Sequence, residues 1–144
     1  MDYDVAIIGG GPAGATAATL LAREGHSVIV FEKEKFPRPH VGESLIPFCY
    51  PLFENLGIIE EMKSGFVRKP GVRFISKDDD SRTTYCFKNI LPGPEQLSFH
   101  VLRSRFDELL LKNAEKNGAV IKQEHKVKST DLSNSNSVKG GSIN

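Results

Sequence analysis

The chain of 144 residues is about one domain's worth, and its 39% hydrophobic and 26% charged residues exclude a wholly disordered chain, a collagen-like repeat and a coiled coil. A formal net charge of +1 calls for neither nucleic acid nor an anionic membrane as partner. No apolar run approaches the ~20 residues of a membrane helix, the start Met1-Asp2-Tyr3-Asp4 is acidic where a signal peptide is basic, and the isolated thiols Cys49 and Cys86 point to a reducing cytoplasm. The four histidines are too scattered for a metal motif, so no metal is expected.

Asp4-Val5-Ala6-Ile7-Ile8 reads as a buried parallel strand. A helix follows over Pro12–Glu24, with Gly14, Ala17, Ala18 and Leu21 along one nearly bare face and Gly25 as its stop. Ser27–Phe31 is a second buried strand closed by Glu32, completing a βαβ unit. Residues 33–43 read as a loop. Ser44–Leu56 reads as a helix that Pro47 and Pro51 shorten or kink, and Ile58–Lys63 as another short helix. Val72–Ile75, Thr83–Phe87 and Leu97–Leu102 read as strands. Ser104 and Asp107 make a capping-box-like start to a helix over Arg105–Asn117, with Phe106, Leu109, Leu110 and Ala114 inward. Gly118 stops it and Ala119-Val120-Ile121 begins a strand. The predicted class is α/β: a Rossmann-like fold with a parallel sheet and a β-strand excursion. The folded α/β part is expected over residues 1–125, with the strand excursion inside 66–102. Residues 126–144 are a polar tail too poor in apolar residues to order as a core.

Gly9-Gly10-Gly11-Pro12-Ala13-Gly14 fits GxGxxG through Gly9, Gly11 and Gly14. Gly9 allows the turn off the strand, Gly11 the approach of a pyrophosphate, and Gly14 close packing of helix on sheet. The helix N–H groups and dipole then hold the diphosphate. Glu32, at the end of the next strand, has the spacing of a ribose-binding acid, and its charge disfavours the 2′-phosphate of NADP. In Phe36-Pro37-Arg38-Pro39-His40-Val41-Gly42-Glu43-Ser44, the prolines stiffen a loop that aims Arg38 at a fixed point. Gly42-Glu43-Ser44 reads as a second helix entrance. An ordinary basic surface loop explains this stretch equally well.

This fingerprint, with the phrases FPRPHVGESLIP and VLRSRFDELLL, resembles the flavin-dependent halogenases, within the FAD-dependent monooxygenases of the hydroxybenzoate-hydroxylase type. The resemblance covers most of residues 2–127. It implies FAD as cofactor, with Gly11, Ala13 and Gly14 at the diphosphate and Glu32 at the adenosine ribose. It implies Arg103 at the flavin nucleotide, the Val127 backbone at the adenine, and Arg38, Gly42, Glu43 and Ser44 on the flavin side. It also implies a lysine ahead of a strand that steers hypohalous acid made from halide. Lys69 in Arg68-Lys69-Pro70-Gly71 is the candidate for this catalytic role. A helix-start surface arginine at Arg103 and a solvated basic turn at Lys69 are the plain alternatives.

The implied partners are a small-molecule substrate, halide and a separate flavin reductase. Two features depart from the pattern. The Trp-x-Trp-x-Ile-Pro motif of halogenases is missing from a chain without tryptophan, and the second Gly-Asp motif is missing too. The expectation is therefore an N-terminal portion of a longer flavoenzyme that binds the ADP part of FAD. A geranylgeranyl-reductase-like flavoprotein and a non-catalytic nucleotide-binding remnant stand as alternatives.

Overall fold

The computed structural model describes residues 2–134 and 137–139, with side chains described through residue 130 apart from 94 and 95. Its elements in chain order are β1 (Val5–Ile8), α1 (Pro12–Arg23), β2 (Val28–Phe31), a 3-10 turn (Pro47–Cys49), α2 (Tyr50–Leu56), α3 (Ile59–Gly65), β3 (Val67–Lys69), β4 (Gly71–Ile75), β5 (Arg82–Cys86), β6 (Ser98–His100), α4 (Arg103–Lys116), β7 (Val120–Lys122), β8 (Asp131–Asn134) and β9 (Ser137–Lys139). Two compact units result: Met1–His40 with Arg103–Asn144, and Val41–Leu102.

The first unit carries the parallel sheet, in the order β1-β2-β7. Val5 pairs with Val28 and Ile8 with Phe31, and Ile29 pairs with Val120. β2 is the buried centre. β1 is not the buried strand its composition predicts: it lies at the sheet edge, alternates half-buried and exposed residues, and leaves Ile8 61% exposed. An apolar run has the same composition on an edge strand and on a central one, so the sequence does not separate the two. Helices α1 and α4 pack on each other. The buried residues of α1 are Ala15, Ala18 and Thr19, one position round from the expected face. Helix α4 starts at Arg103, two residues early, and buries Phe106, Asp107, Leu110, Leu111 and Ala114, while Leu109 is only half-buried. Where the composition predicts a poorly ordered tail, β8 and β9 form an antiparallel pair; residues 135–136 and 140–144 of that stretch lie outside the described residues.

The second unit holds two antiparallel ladders, β3-β6 and β4-β5. The helix expected over Ser44–Leu56 is shortened to the 3-10 turn Pro47–Cys49 and α2 (Tyr50–Leu56), and does not begin at Ser44. Residues 43–45 instead run beside β6, with Leu45 N–H donating to Phe99 O at 3.0 Å and Val101 N–H to Glu43 O at 2.8 Å. Ile46 is extended (φ −110°, ψ 153°) because Pro47 disfavours the helical region before it. Val67-Arg68-Lys69 is strand β3, with Lys69 paired to Ser98, and not the solvated turn of the plain alternative. Pro70 ends this ladder because it has no N–H to give, and Gly71 opens the next one. A Cβ at Gly71 would collide with the Tyr85 carbonyl oxygen, so only glycine fits.

A Cβ at Gly14 would likewise collide with the Gly9 carbonyl oxygen, where α1 lies on the turn leaving β1. Gly14→Ala is expected to lose about 1–3 kcal/mol in urea unfolding, the usual cost of overpacking. Gly65→Ala, which meets nothing within 4 Å, is expected to be neutral or to gain up to about 1 kcal/mol.

Candidate functional site

A groove of about 380 Å³ opens at the C-terminal ends of β1 and β2, lined by Gly9, Gly11, Glu32, Arg38 and Val127 among others. Gly9, at φ +102°, turns the chain off β1 and ties back through its N–H to Phe31 O at 2.8 Å. Helix α1 then begins with Gly11 as its N-cap residue. No side chain caps it and its first turn holds no acid. Ala13 is exposed in that first turn.

Glu32 is 3% exposed and fixed on both oxygens. Its Oε2 accepts from Gly10 N–H at 2.8 Å, and its Oε1 from Glu34 N–H at 2.8 Å. Its backbone is pinned as well: Glu32 N–H donates to Lys122 O, and His125 N–H to Glu32 O, both at 2.8 Å. Each carboxylate oxygen keeps a second lone pair, so the acid can serve the glycine loop and still accept from a ribose hydroxyl.

Arg38 is 9% exposed, and its guanidinium carbon lies 4.7 Å from the centroid of the Phe36 ring. Three carboxylates surround it: Glu34 at 3.2 Å from Nε, Asp107 at 3.6 Å from Nη1 and Glu32 at 4.0 Å from Nη2. Nε and Nη1 are buried and complete no hydrogen bond within the chain. A Cβ built on Gly11 would meet Nη2 at 3.6 Å, so the guanidinium lies against the glycine loop.

Asp107 joins this cluster, although sequence reading assigns it to a helix start. It does not cap α4. It is fully buried and takes a two-pronged contact from Arg103, Nε to Oδ1 at 2.7 Å and Nη2 to Oδ2 at 3.0 Å. This contact raises the Arg103 guanidinium above its usual range, against a smaller opposing effect of burial. Four-residue spacing of arginine and acid on one helix was the available signal. It was outweighed because Ser104 and Asp107 also match a helix-start pattern.

The remaining expected residues belong to the second unit. Gly42 has φ +91° and Glu43 is exposed. Ser44 forms a single bridge with His100 rather than opening a helix. Lys69, expected in an exposed turn on the plain alternative, is only 7% exposed. Its Nζ donates to Ser44 Oγ at 2.9 Å and to Leu45 O at 3.0 Å, and lies 5.6 Å from the Phe87 ring centroid. Among the described residues there is no metal-binding cluster, and no helix is long and apolar enough to cross a membrane.

Comparison with known proteins places this geometry. The family model described as tryptophan halogenase matches residues 4–98. The chain is 44% identical over 115 residues to flavin-dependent halogenase armH3 of Armillaria mellea, covering 79% of this chain and 22% of that protein. It is 45% identical over 118 residues to tryptophan 2-halogenase of Chondromyces crocatus, covering 81% and 22%. The chain thus spans less than a quarter of the length of these curated relatives. Among solved structures, the flavin-dependent halogenase CmlS superposes with a TM-score of 0.87 at 36% identity, over 99% of this chain and 27% of that one. The halogenase PltM, solved with phloroglucinol and FAD, superposes at 0.77 and 26% identity, over 99% and 31%.

Removing one partner of a buried ion pair strands the other charge. Asp107→Ala is therefore expected to lose about 3 kcal/mol in chemical denaturation. Glu108→Ala, which breaks only the more exposed Glu108–Lys112 pair, should lose no more than about 1 kcal/mol.

Proposed function

Because the chain belongs to the tryptophan halogenase family, we propose that it binds the ADP half of FAD in the groove of the first unit and serves a halogenating FAD-dependent oxidoreductase. The observation that carries this reading is the convergence of an uncapped helix N-terminus, Glu32 and Arg38 on one groove. The residues fit the cofactor. The glycine loop admits no side chain at Gly14, the bare end of α1 favours a diphosphate, and the Arg38 guanidinium lies against the loop at Gly11.

Gly11, Ala13 and Gly14 would hold the diphosphate, with Gly9 setting the turn. Glu32 would accept from the adenosine ribose hydroxyls, and Val127 would border the adenine. Arg103 acts on the nucleotide side and is oriented by Asp107. Gly42, Glu43 and Ser44 would face the flavin. Residues 1–125 form the cofactor domain in this reading, with the strands in 66–102 on the substrate side. Bound FAD would supply the oxidising power for turning halide into an electrophilic halogen, with a separate reductase as the source of its electrons. Lys69 directs that halogen as a hydrogen-bond donor from a fixed, water-poor seat. The substrate is a small molecule, and the free thiols of Cys49 and Cys86 fit a reducing cytoplasm.

Two measurements test the reading. Glu32→Lys should weaken FAD binding at least about tenfold in a fluorescence titration of this chain, because a cation replaces a charged acceptor. Equal affinity would remove the ribose assignment. In the halogenating protein that carries this chain, Lys69→Ala should abolish halogenated product while oxidation of reduced flavin by oxygen continues. Normal halogenation by that variant would make Lys69 a structural residue only.

A further inference from the structure

The seat of Lys69 is built by three segments of the second unit. β3 carries Lys69, β6 carries Ser98 directly opposite it, and residues 43–45 run along the other edge of β6. The Lys69 side chain crosses β6 to reach Ser44 and Leu45. Ser98 lies beneath this crossing. It is 1% exposed, and its hydroxyl donates to Leu45 O at 2.7 Å, the same carbonyl that accepts from Lys69. One oxygen therefore receives two donors, using both its lone pairs.

We propose that Ser98 is a positioning residue for Lys69: by donating to the Leu45 carbonyl it fixes the acceptor that holds the lysine ammonium in place. A hydroxyl at this site is not needed for the ladder, whose bonds are made by the backbone. It is not needed for solubility either, since the side chain is buried. A buried hydroxyl costs free energy unless it is bonded, and the bond it makes goes to the lysine's own acceptor. Leu45 is also held by its N–H to Phe99 O. Ser98 then fixes the direction of its carbonyl, and that direction sets where the ammonium lies. Ser44 alone would leave it free to swing about one hydrogen bond.

The role of Lys69 in halogenation is the reading given above, and this inference rests on it. The test does not use halogenation, so the two can fail separately. Lys69 reactivity is followed on the 144-residue chain by competitive labelling with acetic anhydride and peptide mass spectrometry, from neutral to alkaline pH. Hydrogen exchange of the β3-β6 ladder amides is followed on the same samples.

Ser98→Ala should raise Lys69 labelling about fivefold, the factor that one net hydrogen bond supports, with ladder exchange unchanged. Ser98→Cys keeps the volume with a weaker donor and should fall between parent and Ser98→Ala. Unchanged Lys69 labelling in either folded variant would overturn the proposal. So would a rise accompanied by faster ladder exchange, because Ser98 would then merely hold the sheet together. If Ser98→Ala fails to fold, Ser98→Cys decides by the same criteria; failure of both to fold makes Ser98 a folding residue and also overturns it. Halogenation surviving in Lys69→Ala would instead remove the catalytic reading and leave the seat standing.

Discussion

Arg38 is the constraint around which the first unit is arranged. A guanidinium that is 9% exposed must be compensated, and here Glu32, Glu34 and Asp107 surround it. Glu32 and Asp107 each have a second duty. Glu32 holds the Gly10 N–H of the glycine loop and the Glu34 N–H of the chain leaving β2, and Asp107 grips Arg103 at the start of α4. The loop, the end of β2 and the last long helix are therefore tied through one cation. The Phe36 ring beneath it and the Phe36 N–H bond to Gln123 at 2.6 Å fix the height at which it lies. Moving any one of these groups moves the others.

The second unit is organised by a change of hydrogen-bonding partner at Pro70. β3 pairs with β6 and β4 pairs with β5, although the two strands are separated by one residue. Proline has no N–H for the first ladder, but its carbonyl accepts from Phe87 N–H at 2.9 Å and so starts the second. That places Phe87 at the end of β5 against Lys69 at the end of β3. The buried lysine is thus a product of strand ends meeting, not of a turn.

The same junction shows where the sequence was and was not legible. The βαβ unit could be read because its signals are local: an apolar run, a glycine turn, a first-turn proline and a stop glycine lie within about thirty residues. The position of Glu32 followed from that spacing alone. Burial of Lys69 could not be read in the same way, because Arg68-Lys69-Pro70-Gly71 matches a turn composition, and its strand pairing depends on β6 nearly thirty residues later. The edge position of β1 was hidden for a similar reason, since strand order is a tertiary property. Asp107 was hidden by two local patterns that compete for the same residue. Its partner Arg103 was assigned from the family resemblance, whereas the geometry shows what orients it.

The groove's charge argues for how a diphosphate would be recognised. Lys33, Arg38 and Lys126 line it together with Glu32 and Glu34, so its formal charge is only slightly positive. Bulk attraction cannot supply selectivity at such a site, and the net charge of the whole chain adds little to it. Direction must do so instead. The bare helix end points N–H groups one way, the Arg38 guanidinium lies against the glycine loop with Nε and Nη1 turned to Glu34 and Asp107, and Glu32 lines the same groove with its carboxylate. A ligand that turns an anion toward α1 and a ribose toward Glu32 satisfies all three, while one carrying a second phosphate on that ribose places like charges together. Specificity at this site therefore resides in the arrangement of donors and acceptors, and the Arg38 cluster is what keeps that arrangement from relaxing.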